Sequence, residues 1–209
     1  MEREKRDVDA AYALKTPDDN RRLYAGWAKT YDEDFAARMK FLMPGHVAQL
    51  FADLGGTGPV LDAGAGTGLV GQALSRHQAV IVDALDLSPE MLRVAQQKGV
   101  YRAVIEANLL ETLPIEDASY NAVLSSGTFT HGHVGPEALD ELLRIAAPGA
   151  LFVLTIKLEH YEERGFAAKF ASFGTRITGF QTEMRAIYGD GAAGDHGEDQ
   201  GLISTFWRA

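Results

Sequence analysis

"VLDAGAGTGLVG", Val60 to Gly71, decides how the rest of the chain is read. A short apolar run carrying Asp62 meets four glycines, Gly64, Gly66, Gly68 and Gly71, the form of a buried strand turning sharply into a helix. Glycines at such a turn let the backbone approach a ligand and leave helix amides facing it. Two spacings are satisfied together. Gly66, Gly68 and Gly71 fit G-x-G-x-x-G, the loop that accepts a pyrophosphate. Asp62 with Gly64, Gly66 and Gly68 fits a loop in which an acid precedes the glycines.

Outward from the loop, strands and helices alternate. Pro59 to Ala63 reads as a strand, and "GLVGQALSRH" as a helix with Leu69, Val70, Ala73 and Leu74 inward. "AVIVDALD" and "VYRAVIEA" read as the next strands, around a helix "PEMLRVAQQKG" that Ser88 caps with Pro89 at its first position. "YNAVLSS" and "ALFVLTI" add two strands around "PEALDELLRIAA", whose Leu139, Leu142, Leu143 and Ala146 make one apolar face. This alternation predicts a parallel sheet with helices on both faces. "FQTEMRAIY" alternates as a half-exposed strand does, and "LISTFWRA" is an antiparallel return after the loop "GDGAAGDHGEDQG". The acids of that loop lack a calcium-loop spacing, so no metal site is expected there. Ahead of the sheet, Thr16 caps a helix beginning at Pro17, and Leu23, Trp27 and Tyr31 share its face at i, i+4 and i+8. Residues 1–43 are expected to form an amino-terminal helical extension or lid, and 44–209 the ligand-binding domain.

The composition excludes several chemistries. With no cysteine there is no thiolate nucleophile, disulfide or sulfur-ligated zinc. A net charge of −9 opposes docking on a phosphate backbone, so a nucleic-acid partner is not expected. No apolar run reaches the roughly 20 residues of a membrane span, and "MEREKRDVDA" has no secretory apolar core, which predicts a cytoplasmic protein.

Neighbouring residues separate the two ligands that the loop suits. Asp62 would repel a pyrophosphate and attract the α-amino group of S-adenosylmethionine. Asp86, ending the second strand, accepts hydrogen bonds from ribose hydroxyls for either cofactor. Asn108 is placed to meet an adenine edge while Leu87 and Leu109 cover its faces. An NAD-dependent oxidoreductase remains the alternative, and a catalytically silent S-adenosylmethionine-binding protein is a third reading.

"VLDAGAGTGLVG", "ALDLSPEMLRVA", "ANLLETLP" and "RIAAPGALFVLTI" resemble the motifs of class I S-adenosylmethionine-dependent methyltransferases. "YAGWAKTYDEDF" and "SSGTFTHGHVGPEALDELLRIAAPG" are similar to the methyltransferase-like group named after the Williams-Beuren syndrome chromosome region. The resemblance implies an α/β, Rossmann-like, doubly wound and mostly parallel seven-stranded sheet with an antiparallel last strand. It implies that Asp62, Gly64, Ala65, Gly66 and Gly68 line the methionine end, Asp86 holds the ribose and Leu87 stacks on adenine, with Asn108 where many members have Asp. Leu109, Ser125, Trp27 and Tyr31 complete the expected cofactor set. The activity implied is methyl transfer to a small molecule, or to a protein side chain as the second option.

Methyl transfer from a sulfonium is an in-line displacement needing alignment, exclusion of water and, for some acceptors, a base. His131 and His133, in the loop after the fourth strand, are the candidate bases. Trp27 and Tyr31 are candidates for covering the cofactor by cation–π contact, with Tyr24 a further candidate and Arg38 a partner for a carboxylate.

Overall fold

The strand carrying Asp62 lies at the middle of the molecule, and everything else is layered about it. The computed structural model describes residues 11, 14, 16–130, 133–192 and 197–209. The strands are β1 Val60–Ala63, β2 Val82–Asp86, β3 Ala103–Glu106, β4 Tyr120–Phe129, β5 Ala146–Lys157, β6 Ile177–Ala186 and β7 Gln200–Arg208. They form one seven-stranded sheet in the order β3-β2-β1-β4-β5-β7-β6. β1 to β5 are mutually parallel, and β7 runs antiparallel between β5 and β6. This is the doubly wound α/β sheet expected from the alternation, with the reversed strand at one end.

The helices are α1 Pro17–Trp27, α2 Met43–Asp53, α3 Leu69–Leu74, α4 Pro89–Gln97, α5 Ala138–Ile145, α6 Leu158–Glu163 and α7 Phe166–Phe173. The caps are those the sequence signals: Thr16 Oγ1 accepts from the Asp19 amide, and Ser88 Oγ from the Met91 amide. β1 is buried on both faces. Leu61 and Ala63 point into a core with Leu139, Leu142 and Phe166, and Val60 into another with Val47, Phe51 and Trp27. Period-two alternation therefore feeds two cores from one strand.

Three elements differ from the sequence reading. α1 stops at Trp27, and Tyr31 opens a π-helical turn, Tyr31–Ala37, so the aromatic stripe crosses a change of helix type. α6 and α7, between β5 and β6, were not anticipated. β6 starts at Ile177, earlier than "FQTEMRAIY" implies, and from Thr178 to Ala186 it is exposed on both faces, because β7 separates it from the sheet centre. No described helix is long and apolar enough to cross a membrane.

Candidate active site

The glycine loop is pinned from both sides by β2. The Gly64 and Ala65 amides donate to the Leu85 carbonyl at 2.8 and 2.9 Å. The Gly66 amide donates to Asp86 Oδ2 and the Ser88 amide to Asp86 Oδ1, each at 2.8 Å. One carboxylate thus ties the loop after β1 to the turn before α4. Burial pushes the Asp86 carboxyl above its ordinary value, against the lowering effect of these amides. Gly66 holds φ +54°, and the position its Cβ would take opens onto free space.

Behind the loop the packing is tight. Tyr101 donates its hydroxyl to Asp62 Oδ2 at 2.6 Å and accepts the Gly71 amide at 3.1 Å. A Cβ on Gly71 would lie 2.4 Å from the Tyr101 ring. The glycine that completes G-x-G-x-x-G is therefore explained by a tyrosine, not by a phosphate. Desolvation pushes the Asp62 carboxyl up to about 7, and its Oδ1 has no hydrogen-bond partner among the described residues.

In front of the loop lies a cavity at the carboxyl ends of β1, β2 and β3. It brings together Gly64, Ala65, Gly66, Asp86, Leu87, Asn108, Leu109, Tyr31 and His133. Asn108 Oδ1 accepts the Leu110 amide and its Nδ2 donates to Glu111. Sequence reasoning missed Asn20, Arg21, Thr67 and Ser126, which also line the cavity, and placed Met91 in the core, where it is 2% exposed while touching the same cavity. Ser126 Oγ is buried with no partner among the described residues.

Four expected cofactor contacts do not line this cavity. Asp62 is fully buried behind the loop, where Tyr101 occupies it. Gly68 faces the same tyrosine. Ser125 is turned away, its Oγ donating to the Ala63 carbonyl at 2.7 Å and stapling β4 to β1. Trp27 is 1% exposed in the second core. His131 lies outside the described residues. Arg38 is exposed and borders neither this cavity nor the next.

A second cavity adjoins the first. Tyr24, Trp27, Tyr31, Phe35, Phe41 and Tyr188 supply its rings, with Thr130, His133, Thr155 and Lys157 among its polar members. The two cavities share Tyr24, Tyr31, Phe41, Gly127 and His133. At this wall the Tyr24 hydroxyl lies 2.9 Å from His133 Nε2. Burial holds the Tyr24 and Tyr31 phenols above their ordinary range, so both stay protonated. The roof that α1 and the π-helical turn form is anchored twice: Asp32 accepts from Thr67 Oγ1 at 2.5 Å and from Lys98 Nζ at 2.6 Å, and Arg21 pairs with Glu106 at the end of β3.

Residues 61–154 match the family model of the methyltransferase domain, over the strands and loops that build the first cavity. Over these residues the chain is similar to the methyltransferase domains of the class I, S-adenosylmethionine-dependent kind. It is 31% identical over 154 residues to human methyltransferase-like protein 27, covering 72% of the chain and 62% of that protein. It is 34% identical over 105 residues to a ubiquinone biosynthesis O-methyltransferase of Xylella fastidiosa, covering 46% of the chain and 41% of the relative. The chain thus spans less than two thirds of the length of these relatives. Among solved structures, a methyltransferase of Thermotoga maritima described as a possible histamine N-methyltransferase superposes with TM-score 0.64 at 16% identity, over 89% of this chain and 98% of that one. One from Aquifex aeolicus gives 0.61 at 21% identity, over 87% and 97%. At these identities the likeness is one of fold.

Proposed function

We propose that the chain transfers the methyl group of S-adenosylmethionine to a small molecule, with the cofactor in the first cavity and the acceptor in the second. The observation carrying this reading is the shared wall, since methyl transfer needs two sites that meet at one point. The residues suit the cofactor. Each Asp86 oxygen accepts one amide and keeps a lone pair for a ribose hydroxyl. The open side of Gly66 admits the methionine portion beside Gly64 and Ala65, with Ser126 Oγ supplying a buried polar atom. Leu87 and Leu109 cover the adenine faces and Asn108 meets its edge. Asp62 acts from behind, as the carboxylate that holds Tyr101 and through it the loop.

When bound, the sulfonium supplies an activated methyl group. The chain's part is to hold the acceptor in line, exclude water and remove a proton. The aromatic lining of the second cavity suits an inserted small molecule, and the O-methyltransferase name of the Xylella relative supports oxygen as the atom methylated. Calorimetric titration with S-adenosylhomocysteine and, separately, NADH tests the reading. Saturable binding of the first alone is expected; binding of NADH without S-adenosylhomocysteine would restore the oxidoreductase alternative.

A further inference from the structure

We infer that the second cavity takes a small aromatic alcohol, whose hydroxyl proton leaves through Tyr24 to His133. This rests on the cofactor assignment above and adds the acceptor's class and the route of its proton.

The walls define the class. Ring centroids lie 5.2 Å apart for Trp27 and Tyr31, 5.0 Å for Tyr31 and Phe35, and 6.0 Å for Phe41 and Tyr188. These separations belong to aromatic packing, which a flat ring extends by stacking or edge contact. Thr130 Oγ1 lines the same cavity, nine-tenths buried and with no hydrogen-bond partner among the described residues. It offers a contact to a second polar substituent on the ring. The lysine at this cavity is already matched: Lys157 Nζ pairs with Asp199 at 3.1 Å and Glu159 at 3.8 Å, so an acidic acceptor gains little from it. A protonated amine has no electron pair to give a methyl group.

The proton route follows from the shared wall. With His133 in the Nδ1–H tautomer, the protonated Tyr24 hydroxyl donates to Nε2 in the 2.9 Å contact and its oxygen keeps lone pairs for an acceptor O–H. In transfer, the O–CH3 bond forms as the S–CH3 bond breaks. The acceptor's proton passes to the Tyr24 oxygen while Tyr24 passes its own to His133. The products are a methyl ether, S-adenosylhomocysteine and an imidazolium on the half-buried His133, which returns its proton to solvent.

The test uses the full chain with methyl-labelled S-adenosylmethionine and three single-ring probes: catechol, benzylamine and benzoate. Catechol is expected to take the label ahead of the others. Tyr24→Phe keeps the ring and removes the relay, so kcat should fall about 100-fold while S-adenosylhomocysteine still binds saturably. Preference for benzylamine or benzoate, or label on none of the three while S-adenosylhomocysteine binds, overturns the class. An undiminished Tyr24→Phe rate on catechol overturns the relay. Failure to bind S-adenosylhomocysteine counts instead against the cofactor assignment.

Discussion

The two cavities lie side by side and are built by opposite means. The first is made largely of backbone: the turns after β1, β2 and β3, cross-linked through Asp86 and the Leu85 carbonyl. The second is made of side chains from α1, the π-helical turn, residues 41–43, β4, β5 and Ile187–Tyr188. A backbone-built site leaves a short, spaced signature in the sequence. A site built from scattered rings leaves only apolar residues, which read as core.

The comparison is broken most severely at Asp62. Burial raises its folded carboxyl to about 7, above the unfolded value of about 3.9, so the native state binds more protons between them. The associated stability is complete below about pH 4 and is lost as pH rises through 7. Asp62→Asn keeps an acceptor for Tyr101 and removes this dependence. Denaturant unfolding at pH 4.5 and 7.5 should show the wild type losing ground to the variant by at most about 4 kcal/mol. Parallel curves would mean that the carboxylate is already ionised and solvated.

Gly71→Ala drives a methyl group into Tyr101 and should cost about 1–3 kcal/mol of stability. Adding Tyr101→Ala should relieve the clash, whereas a phosphate-binding role for Gly71 would leave the double variant as defective as the single one. Asp86→Ala removes a charged hydrogen-bonding partner from the first cavity and should weaken S-adenosylhomocysteine by about 1–3 kcal/mol in calorimetry. Unchanged affinity would remove Asp86 from the ribose role. The smallest effect is expected at Asp32→Ala, which frees the roof from Thr67 and Lys98. Its half-exposed ion pair is worth at most about 1 kcal/mol, read as a lower unfolding midpoint.

Much of the sheet was legible because β1 to β5 are apolar runs, most of them separated by helices, with Thr16 and Ser88 marking two helix starts. Gly64, Ala65, Gly66, Asp86, Leu87, Asn108 and Leu109 were legible as a group because they follow strand ends, where parallel sheets open. Asp62 was found, but its direction was not. Nothing local announces that Tyr101, 39 residues away, takes its carboxylate from behind. Trp27 looked like a cover because helical spacing fixes a face and not what that face meets. Asp32 carried no signal at all, since its partners Thr67 and Lys98 are brought to it only by the fold.

The pairing of Arg21 with Glu106 has a consequence for traffic. It joins α1 to the end of β3 beside Leu87 and Asn108, so a cofactor bound as proposed would sit behind a latch made of two exposed ions. Such a latch loosens as dissolved salt competes for its charges. For a cofactor held there, ionic strength would become a handle on how quickly it comes and goes, separate from how tightly it is held once inside.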